Sequence, residues 1–335
     1  MPNRLGRDEA RTALIDYVYG SDHPDLMVYR ADFGTKFSID WWLDGIMARC
    51  GLAGFLDKRL LEVGCGFGWD AAALALLGGN SVVAVDILPS MIDGVSECLA
   101  TAKAKGHDIA VEAQQGDICD LDLPPGSFDG IYSSEAIEHV HDLAAMFARC
   151  RELLRPGGTM LIVNDSNRYN TAFREATLAM WRLRDQSWEH AEWLKREVRP
   201  VEHADAEPFA VTREKIIASL GTELDAEQIA RLAAATAGMN RAQIEAATAA
   251  VVAGQALPVP PEFAWCRNPE TGEYAERLLD PFELRDMLRA AGFKCVRLRH
   301  GFNRIPFRLL NGVKSKPINA WLFNRRPLFM LTAQR

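Results

Sequence analysis

The stretch from residue 60 to residue 70 constrains the fold of this 335-residue chain more than any other. A short apolar run reaches Glu62, and glycines then follow at every second position, at Gly64, Gly66 and Gly68. An alanine- and leucine-rich segment comes next and predicts a helix. Glycine adopts positive φ angles and lets a ligand approach the backbone, while a helix N-terminus offers free N–H groups. The strand, glycine turn and helix therefore predict the entrance to a nucleotide-type binding site.

Apolar strand-like runs and amphipathic segments alternate around this stretch. Strands are predicted at 59–63, 81–86, 109–113, 128–133 and 159–163, with helices at 69–78, 89–105 and 142–154 between them. Repeated β-α-β units predict a parallel sheet with helices on both faces. The pattern resumes late in the chain, with a helix at 281–291 and strands at 293–298 and 328–333.

The segment between these two α/β parts does not show the alternation of strands and helices. Asp225 with Gln228, and Asn240 with Gln243, have the spacing of capping boxes, so helices are predicted to begin at both places. We expect an inserted helical subdomain. The predicted organisation is an N-terminal helical cap over 1–55, an α/β core over 56–165, a helical lid or acceptor subdomain over 166–275 and the C-terminal part of the core over 276–335.

Charge and cysteine usage limit the classes of partner. The net charge of −7 argues against a general nucleic-acid binder, because phosphate neutralisation needs clustered Lys and Arg. Seven widely spaced cysteines without a C-x-x-C motif are typical of a reduced cytoplasmic protein. No apolar run approaches the length of a membrane span. We therefore expect a cytoplasmic protein that acts on a small molecule, and a homodimer is left open.

Other nucleotide sites fit the glycine stretch less well. A Walker A loop requires Lys followed by Ser or Thr after the glycines, and neither dipeptide is present there. A dinucleotide fingerprint requires a third glycine at position 69, which is Trp69. Trp69 and Asp70 would also crowd the helix N-terminus with bulk and negative charge.

The motifs resemble those of the class I S-adenosylmethionine-dependent methyltransferases. The family's first motif, E/D-x-G-x-G-x-G, is complete at 62–68. Asp86 closes the second strand, and the sequence Gly-Asp-Ile at 116–118 resembles the loop after the third. Residues 128–134 resemble the fourth strand and its loop, and 153–158 match the L-x-P-G-G turn before the fifth. The resemblance covers 56–165 strongly and 276–335 weakly.

This resemblance implies a Rossmann-like, doubly wound, seven-stranded and mostly parallel sheet whose last strand is antiparallel. It implies S-adenosylmethionine as the methyl donor, with Asp86 binding the ribose hydroxyls and Asp117 the adenine amino group. Asp120 and Asp122 are competitors for the adenine role in the same acidic loop. The predicted cofactor-binding residues are Glu62, Gly64, Gly66, Gly68, Asp86, Ile87, Asp117, Ile118 and Ser134.

The residues after the fourth strand, Glu135-Ala136-Ile137-Glu138-His139, have an E-x-x-E-H spacing. This resembles ubiquinone-pathway O-methyltransferases and small-RNA 2′-O-methyltransferases, in which such residues help to hold a divalent metal. Because the same string also occurs in relatives without metal, and further ligands such as Asp165, His190 or His203 would be needed, a metal is not favoured. The candidate catalytic residues are His139, as general base, and Asp165, which follows the fifth strand.

The inserted segment is expected to determine the specificity for the methyl acceptor. Trp181, Trp188, Trp193 and Trp265 either line an aromatic pocket or form the core of the lid. The predicted function is O-methylation of a small-molecule hydroxyl group, such as that of a natural product, sugar or lipid-pathway intermediate. The alternatives are N- or C-methylation of a small molecule, methylation of nucleic acid, and a non-catalytic S-adenosylmethionine-binding protein.

Overall fold

The computed structural model describes residues 4–32, 39–198, 200–260, 266–301 and 315–335. Seven strands are described, β1 (Arg59–Val63), β2 (Ser81–Asp86), β3 (Val111–Gln115), β4 (Phe128–Ser134), β5 (Leu154–Asn164), β6 (Lys294–His300) and β7 (Phe329–Gln334). The described helices are α1 (Arg7–Val18), α2 (Pro24–Asp32), α3 (Ile39–Ala53), α4 (Trp69–Gly78), α5 (Pro89–Ala104), α6 (Leu143–Leu153), α7 (Thr171–Gln186), α8 (Trp188–Trp193), α9 (Phe209–Ser219), α10 (Ala226–Ala235), α11 (Arg241–Val252), α12 (Pro281–Ala290) and α13 (Lys316–Arg325). A π-helical turn, Leu194–Val198, follows α8.

The seven strands form one sheet in the order β3-β2-β1-β4-β5-β7-β6. Strands β1 to β5 pair in parallel, and β7 lies antiparallel between β5 and β6. The predicted fold class, a doubly wound and mostly parallel seven-stranded sheet with an antiparallel last strand, is confirmed. The third strand begins at Val111 rather than at Ile109, because its pairing with β2 starts where Val111 meets Val82.

Two helices that the sequence patterns did not predict complete the chain. Helix α2 begins at Pro24, where proline is tolerated because the first turn leaves its backbone N–H groups without helical partners. Helix α13, at Lys316–Arg325, likewise has proline in its first turn. Among the described helices we find no candidate for a membrane-spanning segment, since each is too short or too polar.

Apolar residues on both faces of the sheet hold the layers together. On one face, Leu14 and Tyr17 of α1 and Leu43 and Ile46 of α3 are fully buried in a cluster with α4 and α5. On the other face, α6 and α12 pack over β4, β5 and β7, and Phe147 is fully buried among them. The amino-terminal helices are thereby part of the main hydrophobic core.

The segment between β5 and α12 is helical, as predicted, and has a small core of its own, formed by Ile216, Ile217, Leu232, Ala233 and Ile244. Both predicted capping boxes are present, at the start of α10 and of α11. The guanidinium group of Arg213 is buried here. It forms a bidentate ion pair with Asp185, at 2.7 and 3.1 Å, and donates to the carbonyl of Ala233. This network fixes α9 against α7 and α10.

The glycine turn after β1 joins the sheet to α4. Gly64, Gly66 and Gly68 have φ angles of 72°, 51° and 67°, in the left-handed region that favours glycine. A Cβ atom at position 64 would also clash with the Cβ of Ala136, in the turn after β4. The turns after β1 and β4 therefore approach each other at a distance that only glycine at position 64 permits.

Substitution of Gly64 tests this close approach. Gly54 has nearly the same φ angle, 70°, but nothing lies within 4 Å of a Cβ atom added there. Gly64→Ala and Gly54→Ala should therefore carry the same backbone strain, about 1–2 kcal/mol. Gly64→Ala should lose roughly 2 kcal/mol more because of the overlap with Ala136. Urea unfolding measures both free energies, and equal losses would contradict the contact.

Candidate active site

A cavity of about 1040 Å³ lies at the carboxyl ends of β1, β2 and β4. The glycine turn and the loops after β2, β3 and β4 form its floor. The opposite wall comes from α7, α8, the chain leading into α9 and a hairpin at 266–276. In open α/β sheets ligands bind at this edge of the strands. The inserted segment therefore covers the edge where a ligand is expected.

Asp86 connects the glycine turn to the loop after β2. Its Oδ2 accepts from the backbone N–H of Gly66 at 2.8 Å, and its Oδ1 accepts from the N–H of Leu88 at 3.0 Å. The N–H groups of Gly64 and Cys65 both donate to the carbonyl of Val85, at 2.9 and 3.0 Å. The carboxylate of Asp86 thus orders both loops while it lines the cavity.

Glu62 is a buried carboxylate at the same wall. It is 2% exposed, and its Oε2 has no hydrogen-bond partner among the described residues. Burial raises the pKa of Glu62 well above its ordinary value of 4.5, and the charges of Asp70 and Asp86 raise it further. An unsatisfied buried carboxylate is costly, and a bound cation or hydrogen-bond donor would offset this cost.

Asp70, in contrast, has a full set of partners. Arg49 forms an ion pair with it at 3.1 Å, the indole N–H of Trp42 donates to it at 2.7 Å, and the hydroxyl of Tyr132 donates to it at 2.7 Å. Burial raises the pKa of Tyr132 well above its ordinary value, so this hydroxyl keeps its proton. The negative charge that was expected to crowd the start of α4 is therefore compensated by α3 and β4.

The structure brings eight of the nine predicted cofactor-binding residues to the cavity. The lining includes Glu62, Gly64, Gly66, Asp86, Ile87, Asp117, Ile118 and Ser134. It includes neither Asp120 nor Asp122, so Asp117 is the acid that this loop presents. Which ligand atoms these residues contact stays a prediction.

Gly68 is the exception among the predicted cofactor-binding residues. It is outside the described lining of the cavity, directly precedes α4 and lies against α1. An added Cβ would lie 2.7 Å from the hydroxyl of Tyr17, which itself donates to the carbonyl of Phe67 at 3.0 Å. Glycine is needed here both for the left-handed φ of 67° and for packing against the N-terminal helix, and the motif alone does not reveal the packing.

The E-x-x-E-H residues do not converge on one point. They form a non-helical turn, and Glu135 and His139 line the cavity. Glu138 is 4% exposed, and its carboxylate accepts a hydrogen bond from Nδ2 of Asn164 at 2.6 Å. Glu135 itself has a φ of 46°, a strained conformation for a residue with a side chain. Within the described residues no group of three or more His, Cys, Asp or Glu is arranged to hold a metal ion.

The placement of Asp165 differs from the prediction. It is outside the described lining of the cavity and lies behind Glu135, whose carboxylate accepts from the backbone N–H of Asp165 at 3.0 Å. Loss of surrounding water to the cavity walls and the charges of Asp165 and Glu138 raise the pKa of Glu135 above its ordinary value, although its side chain stays exposed toward the cavity. Glu135, which was considered only as a metal ligand, is thus the acid presented at this point.

The polar residues after β5 fold the chain rather than face a ligand. Asn164, Ser166 and Asn167 are all buried, and the side chains of Asn164 and Asn167 accept from the backbone N–H groups two residues on, at 2.8 and 2.9 Å. Asn167 also forms a bridge with Leu279. These contacts fix the point where the insertion leaves the sheet.

His139 is held by the hairpin of the inserted segment. Its Nδ1 lies 3.0 Å from the carbonyl oxygen of Tyr274, and the N–H of Tyr274 donates to the carbonyl of His139 at 3.2 Å. Glu276, on the same hairpin, lines the cavity. Burial raises the pKa of Glu276, and the nearby charge of His139 opposes this shift.

Aromatic side chains form part of the upper wall. Trp181 and Trp193 line the cavity together with Phe209, whereas Trp188 is 53% exposed and outside the lining. Trp265 lies outside the described residues. Patterns in the sequence missed Phe209, Arg184 and the residues 202–207 other than His203, because only the folding of the insertion brings them to this wall. His190 and His203, which the sequence offered only as further metal ligands, also line it.

Residues 61–162 match a family model described as a methyltransferase domain. The ubiquinone biosynthesis O-methyltransferase of Xanthomonas campestris pv. campestris is 36% identical over 137 residues, which cover 41% of this chain and 53% of that protein. The protein of the same name from Xylella fastidiosa is 36% identical over 160 residues, with 43% and 61% covered. The chain thus spans little more than half the length of these curated relatives.

Among solved structures, the chain is similar to phosphoethanolamine N-methyltransferase 2 of Haemonchus contortus in complex with S-adenosyl-L-methionine. The TM-score is 0.48 and the sequence identity 15%, with 96% of this chain and 60% of that chain covered.

The ionisation of Glu62 gives a pH-dependent prediction. Because its pKa is higher in the folded than in the unfolded chain, its contribution to stability is fully present below about pH 4.5 and is lost as the pH rises. Glu62→Gln removes the charge, so we expect it to gain on the order of 2 kcal/mol over the wild type at pH 8 and little at pH 4.5.

Urea unfolding at both pH values measures this difference without any ligand. Glu112→Gln, at an exposed position on β3, controls for the substitution itself. A gain in the free energy of unfolding that is the same at both pH values, or a variant less stable than the wild type at pH 8, would show that the ionised form of Glu62 does not destabilise the fold.

Proposed function

We propose that this chain is an enzyme that transfers the methyl group of S-adenosylmethionine to a small molecule. The premise of this proposal is the methyltransferase domain at residues 61–162. The observation that carries the proposal is the buried carboxylate of Glu62 beside the glycine turn, whose Oε2 has no hydrogen-bond partner among the described residues, in a cavity that Asp86 and Asp117 also line. The family model and the similarity to O-methyltransferases support the same activity.

The described residues fit this donor. Its methionine part carries an ammonium group, which Glu62 is placed to balance at the end of β1. Its ribose hydroxyls suit the carboxylate of Asp86, and its adenine amino group suits that of Asp117, since ionised carboxylates accept hydrogen bonds. The donor carries no phosphate, in agreement with a helix N-terminus occupied by Trp69 and Asp70.

His139 is proposed as the general base. When bound, the donor supplies a methyl group activated by its positively charged sulfur. His139 takes the proton of an acceptor hydroxyl through Nε2, because its Nδ1 is engaged with the carbonyl of Tyr274. The carboxylates of Glu138 and Glu276 lie close enough to stabilise the positive charge that this creates on the ring. The insertion excludes water and aligns the acceptor.

An enclosed hydroxyl-bearing small molecule is the acceptor we favour. The cavity of about 1040 Å³ has room for both the donor and a second molecule, with Trp181, Trp193 and Phe209 on the acceptor side. The relatives named ubiquinone biosynthesis O-methyltransferase support transfer to oxygen.

The charge of the lining favours a second candidate, an amine acceptor. Among the described residues that line the cavity, eleven are acidic and Arg184 is the single arginine or lysine. Three of these acids, Asp70, Glu207 and Glu270, form ion pairs with residues outside the lining, so their charges are partly compensated. Such a wall repels phosphorylated or carboxylate acceptors and attracts amines. N-methylation is therefore the alternative that a specific feature of this cavity supports.

Product analysis distinguishes these reactions. Purified protein would be incubated with S-adenosylmethionine carrying a labelled methyl group and a panel of phenols, sugars and amines. Mass spectrometry would then measure S-adenosylhomocysteine and identify the bond formed. We expect label on oxygen of a neutral hydroxyl compound, and label on nitrogen would favour the second candidate. Absence of S-adenosylhomocysteine across the panel, in protein shown to bind the donor, would contradict an enzymatic role.

Removal of His139 tests its role as base. His139→Ala should lower kcat by about 10²–10⁴-fold, the contribution typical of a positioned base, while the affinity for S-adenosylmethionine stays within about twofold. His107→Gln, at the interface of α1 and α5, is the matched control, because it replaces a histidine that is outside the described lining of the cavity. A kcat near that of the wild type in His139→Ala would exclude this residue as base.

A further inference from the structure

The hairpin at 266–276 forms part of the wall opposite the glycine turn and also contacts His139, the proposed general base. Its two arms are joined by backbone bonds, with Asn268 N–H donating to Glu273 at 2.8 Å and Ala275 N–H donating to Cys266 at 2.9 Å. Arg267 and Tyr274 form a bridge across it. A regular hairpin of this kind holds its backbone carbonyls in fixed directions.

Two hydrogen bonds join this hairpin to His139, and a third joins Arg277, the residue directly after the hairpin, to Val140. Nδ1 of His139 lies 3.0 Å from the carbonyl oxygen of Tyr274, the N–H of Tyr274 donates to the carbonyl of His139 at 3.2 Å, and Nη2 of Arg277 donates to the carbonyl of Val140 at 2.6 Å. The contact spans 135 residues of sequence between His139 and Tyr274. The inserted segment is therefore bonded directly to the turn after β4.

The partner of Nδ1 decides which ring nitrogen carries the proton. A carbonyl oxygen only accepts hydrogen bonds, so a neutral His139 in this contact has its proton on Nδ1. Nε2 then carries the lone pair, and no hydrogen-bond partner of Nε2 is present among the described residues. In water the other tautomer, with the proton on Nε2, predominates for neutral histidine. The hairpin thus favours the form of the ring that accepts a proton from the cavity.

Two arginines hold the tyrosine that supplies this carbonyl. The guanidinium group of Arg277 lies 4.4 Å from the centre of the Tyr274 ring and that of Arg267 lies 5.1 Å from it. Such cation–π contacts stabilise an aromatic side chain next to positive charges. Arg277 makes both this contact and the bond to Val140, so it connects the two sides of the junction.

We propose that the inserted hairpin is a positioning element, which fixes His139 in its Nδ1–H tautomer through the carbonyl of Tyr274, with Arg277 as the positioning residue. The inference rests on the proposed role of His139 as base. It adds that the segment expected to select the acceptor also prepares the base, so that the complete site exists only when the hairpin is bonded to the turn after β4.

Nuclear magnetic resonance tests the tautomer without any turnover. Long-range ¹⁵N–¹H spectra of histidine-labelled protein would be recorded at about pH 9, where an ordinary imidazole is neutral, and the His139 signals assigned from their absence in His139→Gln. We expect a protonated Nδ1 and an unprotonated Nε2 in the wild type. A wild-type spectrum with the proton on Nε2 would overturn the proposal, whether or not the protein methylates anything.

Substitution of Arg277 tests the positioning role. In Arg277→Ala we expect signals of both tautomers and a kcat lowered by about fivefold to tenfold, the change typical of losing one hydrogen bond. The KM for S-adenosylmethionine should stay unchanged, and Arg277→Lys should recover part of the kcat because lysine can still donate to Val140. A pure Nδ1–H signal with wild-type kcat in Arg277→Ala would remove Arg277 from this role.

The control is Arg285→Ala. Arg285 also combines an aromatic contact, to Phe282, with a polar partner, Asp286, but it lies on α12 and outside the described lining of the cavity. It should leave both the His139 signals and kcat as in the wild type. If Arg277→Ala does not fold, the wild-type spectrum still tests the tautomer. Tyr274→Ala, which keeps the carbonyl but removes the ring next to the arginines, then takes the place of Arg277→Ala, with signals of both tautomers as the expected result and a pure Nδ1–H signal as the contradicting one.

Discussion

The structure depends on the close contact between the turns that follow β1 and β4. Gly64 permits this contact because any side chain there would meet Ala136. The contact places Glu62, at the end of β1, and Glu135 and His139, after β4, around one cavity. Asp86 then completes the floor by accepting from the N–H of Gly66. The proposed donor site and the proposed acceptor site thus meet where Gly64 lets the two turns approach each other.

The inserted segment is fixed to the rest of the chain at two places beside this cavity. The carboxylate of Asp25, which is fully buried in α2, accepts from the N–H of Val201 at 2.9 Å and of Glu202 at 3.3 Å. The hairpin at 266–276 is bonded to the turn after β4 through Tyr274, and Arg277, directly after the hairpin, is bonded to the same turn. The roof over the cavity therefore depends on an N-terminal helix as well as on the sheet.

Unbalanced negative charge is the second physical property of the cavity. Loss of surrounding water raises the pKa of Glu62, Glu135 and Glu276, which means that their ionised forms are not fully compensated. Asp70 shows the contrast, since Arg49, Trp42 and Tyr132 satisfy it. A positively charged ligand gains from the uncompensated carboxylates, and an anionic one is repelled. This favours a cationic methyl donor with a neutral or amine-bearing acceptor.

The elements that local sequence determines were predictable, and the contacts between distant elements were not. Helix α4 was predicted at its observed bounds because glycine at both ends restricts it, with left-handed backbone at Gly68 and Gly79. Asp165 is outside the described lining, while Glu135, which accepts from its backbone N–H, is part of that lining; no spacing in the sequence indicates this arrangement. Likewise, no spacing in the sequence indicates that Tyr274 meets His139.

Isothermal titration with S-adenosylhomocysteine measures whether the cavity beside the glycine turn binds the methyl donor. We expect binding at one site with a micromolar dissociation constant, about 1–100 µM, weakened at least tenfold in Asp86→Ala and in Glu62→Gln. No binding at millimolar ligand, or binding that neither substitution weakens, would contradict this expectation.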